Sequence, residues 1–235
     1  MTTTPFDALA CPLDGCALTA SGTSWWCENG HSFDVARQGY VHLLPVQKKR
    51  TLDPGDSKAM VAARQRFLNA GFYAMIAESV SDRALQSLAA AKQDKQTRWV
   101  VGSNANLPVL PESLDLVLCL FGFPVYGEFA RVLKPGGQVI QVDAGADHLR
   151  ELREIIYPEL KSPGKTDSAA PEGFRQLDST VVRFSVTLPD QESIADLLAM
   201  TPHLYRASAE GLEKAAALDS LEVTVDVVLK SWEKS

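Results

Sequence analysis

The spacing of apolar residues in the second half of the chain predicts strands and helices in alternation. Residues 97–101 form a short apolar strand, and 114–121 is a nearly continuous apolar run, as expected for a strand buried on both faces. A short helix over 127–133 and a strand over 139–142 follow. This order predicts an α/β domain in which Cys119 is a core residue.

The pattern continues to the end of the sequence. Residues 147–157 are helical in spacing, and a Ser/Pro/Gly-rich connection covers 161–173. Alternation over 179–188 and 221–229 predicts two late strands, and 191–200 is helical between them. Upstream, Asp56 or Ser57 can cap a helix that begins near Lys58, and a second helix-like stretch runs from Ala74 to about Lys95.

Composition and charge narrow the class of protein. The chain has 235 residues, 46% hydrophobic and 22% charged, which is ordinary for a globular protein, and its net charge is −6. Residues 31–70 are net +4, so the remainder is net −10. The N-terminus has no signal-peptide pattern, and the most apolar stretch, 116–126, is far shorter than the roughly 20 residues of a membrane span. We therefore expect a cytoplasmic protein without a membrane partner.

Three of the four cysteines lie in the first 27 residues, which favours a metal site over disulfides in a cytoplasmic chain. Cys27 and His31 flank a turn that contains Gly30 and make one ligand pair. Cys11 and Cys16 make the other, and Asp14 stands between them as the fallback ligand. Thiolate outranks carboxylate for zinc, so we predict Zn²⁺ bound by Cys11, Cys16, Cys27 and His31. The alternative is a small β-module with reduced cysteines and no metal.

The segment after the cysteines carries a family resemblance. The Gly-Tyr-Val-His-Leu-Leu-Pro-Val-Gln run at 39–47, the Asp-Pro-Gly-Asp-Ser turn at 53–57 and the zinc pair together resemble the N-terminal region of the 23S rRNA guanine-N1 methyltransferases. The Lys-Pro-Gly-Gly turn at 134–137 and the strand after it resemble the approach to the fifth strand of an S-adenosylmethionine-dependent methyltransferase sheet. The resemblance implies a class I, Rossmann-like sheet after a small zinc-binding β-module. It implies methyl transfer from S-adenosylmethionine (SAM) to N1 of a guanine in a 23S rRNA hairpin.

The resemblance also implies roles for individual residues. In the cofactor site it places Asn104 and Ala105 beside the adenine, and Phe121 and Gly122 over the methyl donor and the target base. Asp143, at the end of the fifth strand, is a candidate general base for the N1 proton. Cations suit phosphate contacts and aromatic rings suit base stacking. The predicted RNA-binding residues are Tyr40, Gln47, Lys48, Lys49, Arg50 and Arg64.

One departure from the family is visible in the sequence. The family cradles the amino-acid end of SAM with a Gly-rich loop, whereas this chain has no glycine between Gly71 and Gly102. The first strand, a helix, the second strand and part of the next helix are missing by comparison, roughly 45 to 60 residues judged from βαβ unit lengths. We expect a zinc-binding module at 1–45, a basic loop and helix at 46–73, and an incomplete methyltransferase-like domain at 74–235. The alternative function is a non-catalytic RNA-binding or interaction protein of that ancestry. Homodimerisation stays open.

Overall fold

The protein is described from a computed structural model, in which residues 7–45, 56–87, 99–160 and 169–235 are placed. Its N-terminal part is a small β-module. Strands β1 (Thr19–Ser21), β2 (Ser24–Trp26) and β3 (Ser32–Asp34) form an antiparallel sheet. Strand β4 (Tyr40–His42) follows and pairs in parallel with β5 (Trp99–Val101), far along the chain. The module is therefore joined to the second half by backbone hydrogen bonds.

Two helices connect these strands. Helix α1 spans Lys58–Asn69, and the Ser57 hydroxyl caps it by accepting from the Met60 N–H at 3.2 Å, so the predicted start is confirmed with Ser57 as the cap. Ala63 and Phe67 form its buried face. Helix α2 spans Ala74–Ser87, and the rest of the predicted helix, to Lys95, lies outside the described residues.

The main sheet has the strand order β6-β7-β9-β8. Its strands are β6 (Leu114–Leu120), β7 (Leu133–Ala144), β8 (Phe174–Leu188) and β9 (Leu221–Lys234). β6 is parallel to β7, whereas β9 is antiparallel to both β7 and β8. The two late strands predicted from alternation thus form the antiparallel hairpin that closes a methyltransferase sheet, as expected.

Helices pack against both faces of this sheet. The remaining helices are α3 (Tyr126–Val132), α4 (Arg150–Ile156), α5 (Gln191–Ala199) and α6 (Ala209–Ala216). The largest core cluster joins α1, α2, α4, α5 and α6 to one sheet face, and a smaller one joins α3 to the other face. Cys119 is buried in the smaller cluster, as predicted. The sequence reading missed α6.

One expectation about β6 is wrong. We predicted a strand buried on both faces, but Leu118 and Leu120 are 48% and 47% exposed, while Cys119 on the opposite face is buried. The reason is that β6 is the outermost strand of the main sheet within the described residues, and the described helices pack mainly on β7, β8 and β9. No neighbouring strand, and little of the helical layer, covers its outer side there. None of the described helices is both long enough and apolar enough to cross a bilayer.

Candidate functional site

Two tight turns of the β-module present the candidate metal ligands. In the first, the Gly15 N–H donates to the Cys11 carbonyl at 2.8 Å, and Gly15 has a φ of 79°. In the second, the Gly30 N–H donates to the Cys27 carbonyl at 3.1 Å, with a φ of 82° at Gly30. Glycine reaches this left-handed region without steric cost, so each turn can close tightly and direct its side chains inward.

Four side chains from these turns converge, namely Cys11, Asp14, Cys27 and His31, with their ligand atoms all within 4.8 Å of one another. The His31 Nδ1 lies 3.6 Å from Cys11 Sγ, 3.3 Å from Cys27 Sγ and 2.9 Å from Asp14 Oδ2. A tetrahedral zinc with bonds of about 2.0 to 2.3 Å requires ligand separations of about 3.3 to 3.8 Å. The cluster therefore has the dimensions of a zinc site after a small adjustment.

Cys16 is not part of this cluster, which corrects our preference for Cys16 over Asp14. The Asp14 Oδ2 lies 3.5 Å from Cys27 Sγ, whereas its Oδ1 accepts from the Cys16 backbone N–H at 3.0 Å. The Asn29 amide donates to Asp14 and, at 3.5 Å, to the Cys16 sulfur. The turn geometry thus directs the Asp14 side chain, and not the Cys16 side chain, into the cluster.

The pKa shifts of Asp14 and Cys16 agree with this arrangement. Hydrogen bonds from the Asn29 amide and the Cys16 N–H hold the pKa of Asp14 well below its usual range, so this carboxylate is ionised at neutral pH. The Cys16 thiol beside Glu28 has its pKa raised to about 11. Metal ligands bind in the deprotonated form, which Asp14 reaches more readily than Cys16. Burial also raises the pKa of the Cys11 thiol, so a raised pKa alone does not exclude a cysteine from the cluster.

The β-module is held against the loop that precedes β6. Besides the β4–β5 pairing, the Ala10 N–H donates to the Pro108 carbonyl at 3.0 Å and the Leu110 N–H to the Ala8 carbonyl at 2.8 Å. A cavity of about 380 Å³ lies at this junction, lined by Gln38, Tyr40, Val100 and Val101. Tyr40 is half-buried there, so the structure leaves its ring accessible at the junction.

The predicted RNA-binding residues fall into two groups. Gln47, Lys48, Lys49 and Arg50 lie outside the described residues. Arg64 is described, and its guanidinium makes an ion pair with Asp56 and donates to the Met200 carbonyl at 3.2 Å. Arg64 therefore also has a structural role between α1 and α5, and its contact with RNA stays a prediction.

Aromatic residues gather at the carboxyl ends of β6 and β7. The Phe121 and His148 rings are stacked at 5.8 Å between centroids, and Tyr73 lies 6.4 Å from Phe121 and 6.2 Å from His148. Phe121 has a left-handed φ of 52°, which costs a bulky residue energy and is typical of functional sites. Its side chain is 48% exposed, whereas the buried Tyr73 hydroxyl has no hydrogen-bond partner among the described residues. Sequence reasoning missed Tyr73 and His148, which join Phe121 only through the tertiary fold.

The other predicted residues of the cofactor loops lie close together. The Asn104 side-chain amide donates to the Phe123 carbonyl at 2.5 Å, which joins the loop after β5 to the loop after β6. The Ala105 N–H donates to the Ser103 hydroxyl at 3.2 Å and closes the first loop. At Gly122, an added Cβ would lie 3.4 Å from Cys119 Sγ. The structure thus brings Asn104, Ala105, Phe121 and Gly122 to one edge.

Asp143 belongs to a polar chain on the opposite face of β7 from Val142, which packs in the main core with Tyr73. The Gln141 amide donates to Asp143 Oδ2 at 2.7 Å, and the Tyr126 hydroxyl donates to the Gln141 carbonyl oxygen. Burial first, and then the charge of Asp143, raise the pKa of the Cys119 thiol. Asp143 is half-buried and oriented by Gln141.

These residues fit one part of SAM and not the other. The loops at Asn104 and Phe121 can line the base and methyl side. The amino-acid end requires backbone that approaches closely from a strand beyond β6, yet β6 is the outermost strand of the described main sheet. The sequence has no glycine between Gly71 and Gly102 to form such a loop. The residues present therefore do not make a complete SAM site.

Comparison with known proteins agrees with the metal centre and the sheet. Residues 9–52 match the zinc-ribbon family model described as RlmA, N-terminal. The YxjB protein of Bacillus subtilis (strain 168), provisionally named a 23S rRNA (guanine-N(1)-)-methyltransferase, is 28% identical over 96% of each chain. The 23S rRNA (guanine(748)-N(1))-methyltransferase of Streptomyces fradiae is 26% identical over 93% of this chain and 94% of its own.

These alignments also show a length difference. The Bacillus subtilis alignment has 276 positions, and 96% of this chain is about 226 residues, so about 50 aligned positions have no counterpart here. The Streptomyces fradiae alignment, with 268 positions and 93% of the chain, gives about the same difference. This agrees with the roughly 45 to 60 missing residues expected from βαβ unit lengths.

A solved structure provisionally described as a methyltransferase, from Bacillus halodurans C-125, aligns with a TM-score of 0.35. It is 18% identical over 60% of this chain and 73% of that chain, and a likeness this weak carries no argument. The sheet order and the zinc-ribbon match define the class, a zinc-ribbon protein with a class I methyltransferase-like sheet. Over almost its whole length the chain is also similar to proteins named as 23S rRNA (guanine-N1)-methyltransferases.

Proposed function

We propose that the protein catalyses SAM-dependent methyl transfer to N1 of a guanine in a 23S rRNA hairpin, in the cytoplasm. The observation that carries this proposal is an alignment to a relative of that name over 96% of both chains. That span includes the metal centre, the Asn104 loop and the aromatic edge. A homodimer, which the sequence leaves open, is not required by this proposal.

A guanine could stack on the exposed ring of Phe121, which His148 supports from the other side. The Tyr73 ring, 6.4 Å from Phe121 between centroids, packs next to it with its hydroxyl buried. Tyr40 and the basic segment at 47–50 would contact the RNA outside the edge and hold the hairpin through its phosphates. Arg64 would join them if an RNA phosphate displaced Asp56 from its ion pair.

Methylation of N1 requires loss of the N1 proton, and Asp143 is the proposed base. Asp143 lies near the carboxyl end of β7, on the opposite face from the Tyr73 cluster, so the guanine would have to reach it across that end of the sheet. The Gln141 amide fixes the orientation of its carboxylate, and Tyr126 fixes Gln141. SAM would supply the methyl group. The residues present do not complete its site, so binding of its amino-acid end would require residues outside the described ranges. Zn²⁺ in the β-module would have a structural role, because all four candidate ligands come from the two turns of the module and none from the loops after β5, β6 or β7.

A specific observation favours a second candidate function. About 50 positions of the relatives have no counterpart, and the chain has no glycine where a cofactor loop is required. The second candidate is a non-catalytic RNA-binding protein that keeps the family's RNA surface without the SAM site. The two functions share the RNA and differ in the cofactor.

Calorimetry with SAM separates the two candidates. Micromolar SAM binding by the full chain, with N1-methylguanine formed on a 23S rRNA hairpin, supports the enzyme. No SAM binding at millimolar ligand, with hairpin binding retained, supports the RNA-binding protein. In the enzyme, Asp143→Asn should abolish methylation and leave hairpin affinity unchanged. RNA affinity should fall steeply with added salt in both cases, since cations that contact phosphate release counterions, and an absence of RNA binding contradicts both.

A further inference from the structure

The first turn of the β-module offers two side chains to one coordination position. Asp14 and Cys16 are two residues apart, and the cysteine is the better zinc ligand by chemical preference. The structure nevertheless directs the Asp14 Oδ2 into the cluster, 2.9 Å from His31 Nδ1 and 3.5 Å from Cys27 Sγ. Cys16 lies outside the group of converging ligand atoms.

We infer that Asp14, and not Cys16, is the fourth metal ligand, so that the ribbon holds its metal with two thiolates, one imidazole and one carboxylate. This inference rests on the proposed zinc site and specifies its donor set. Cys16 then has a positioning role, because its backbone N–H holds the Asp14 Oδ1 at 3.0 Å, while Oδ2 points into the cluster.

The surroundings of Asp14 support this assignment. The Asn29 amide donates to Asp14 Oδ2 at 3.0 Å and therefore orients the carboxylate from the second turn. The same amide contacts Cys16 Sγ at 3.5 Å on the outer side. Partners of this kind fix the geometry of a metal ligand in many sites. Because Asn29 stands between Cys27 and His31 in sequence, the second turn both supplies two ligands and orients a third.

The donor set has a consequence for the choice of metal. Replacing a thiolate by a carboxylate makes a site harder, which lowers its preference for soft metals and lets bound metal exchange faster. We expect the wild-type ribbon to prefer Cd²⁺ over Zn²⁺ less than a ribbon with three thiolates does. Asp14→Cys restores the third thiolate at the same position and is the matched comparison.

Titration of the full chain with Co²⁺ tests the inference, since thiolate-to-cobalt charge transfer reports the number of bound thiolates. The wild type and Cys16→Ser should show the same intensity, and Asp14→Cys should raise it by about half, in the ratio of three thiolates to two. Asp14→Ala should weaken Co²⁺ and Zn²⁺ binding by at least about tenfold, within the range measured when a metal site loses support.

Three outcomes are distinguishable. If Cys16→Ser lowers the charge-transfer intensity by about a third and Asp14→Asn leaves it unchanged, Cys16 is the ligand and this inference is overturned. If neither the wild type nor Asp14→Cys binds Co²⁺ or Zn²⁺, the proposed zinc site itself fails. If Asp14→Ala unfolds the module, the other two variants still decide the donor set. Asp14→Cys should raise the charge-transfer intensity, and Cys16→Ser should leave it unchanged.

Discussion

Two glycines in the first turns of two helices provide a matched test of the packing. Gly211 lies in α6 and Gly127 in α3, and neither has a left-handed φ. An added Cβ at Gly211 would lie 2.5, 2.6 and 2.7 Å from the O, Cα and C atoms of Ile156, at the end of α4. An added Cβ at Gly127 would have no atom within 4 Å. The same substitution, glycine to alanine, should therefore have opposite effects.

The magnitudes follow from two opposing contributions. Alanine in a helix is favoured over glycine by up to about 1 kcal/mol, and less in the first turn, so Gly127→Ala should stabilise by about 0.5 kcal/mol. At Gly211 the new methyl must move backbone by nearly 1 Å to reach ordinary contact, and overpacking of this kind costs about 1 to 3 kcal/mol. We expect the upper end, because a backbone cannot rotate away as a side chain can. Gly211→Ala should then destabilise by about 2 kcal/mol after the helix gain.

Thermal unfolding followed by circular dichroism measures both variants. At about 2 to 4 °C per kcal/mol for a chain of this size, Gly211→Ala should lower the Tm by about 4 to 8 °C, and Gly127→Ala should raise it by about 1 to 2 °C. Equal Tm values for the two variants, or a higher Tm for Gly211→Ala, would refute the packing of α6 against α4.

Three further predictions concern single contacts. Ser57→Ala removes the cap of α1 and should cost about 1 kcal/mol in urea unfolding. Arg83→Met removes the hydrogen bonds from α2 to Ser231 (3.1 Å) and Thr180, and the ion pair to Asp178. Amide hydrogen exchange should therefore accelerate more in α2 than in β9. Burial lowers the pKa of His148 to about 4, and the unfolded value is about 6.5; the unfolded chain thus binds this proton more readily. The contribution of neutral His148 to the free energy of unfolding is fully present above pH 6.5. It falls by up to about 3 kcal/mol as the pH drops to 4, and His148→Gln should reduce this loss.

Local signals in the sequence predicted the elements well. Asp190 caps α5 with a reciprocal contact to Ser193, and the predicted helix 191–200 matches α5 to within one residue. The late strands were also placed correctly, although both are longer than the alternation indicated, since pairing continues past the apolar run. Such features depend on neighbours a few residues apart, which sequence spacing records directly.

Contacts between residues far apart in the sequence could not be predicted in the same way. The apolar residues of β6 indicate a buried strand, but burial depends on a neighbour that the described sheet does not place there. The pairing of Tyr40–His42 with Trp99–Val101 joins segments that no local pattern connects. At the metal centre, spacing left Asp14 and Cys16 both possible, and only the fold shows that the turn directs Asp14 towards the other three side chains. Tyr73 and His148 carry no motif, and only tertiary packing brings them to Phe121.

Strand β9 is the last element in sequence, yet it lies inside the main sheet, between β7 and β8. During synthesis, β7 and β8 therefore have no partner for their inner edges until residues 221–234 have left the ribosome. The chain must keep two unpaired strand edges from pairing wrongly for that whole period, which is the situation in which chaperones bind nascent chains. Loss of β9 residues would shorten the ladders to β7 and β8 at once, because both strands pair with the same segment.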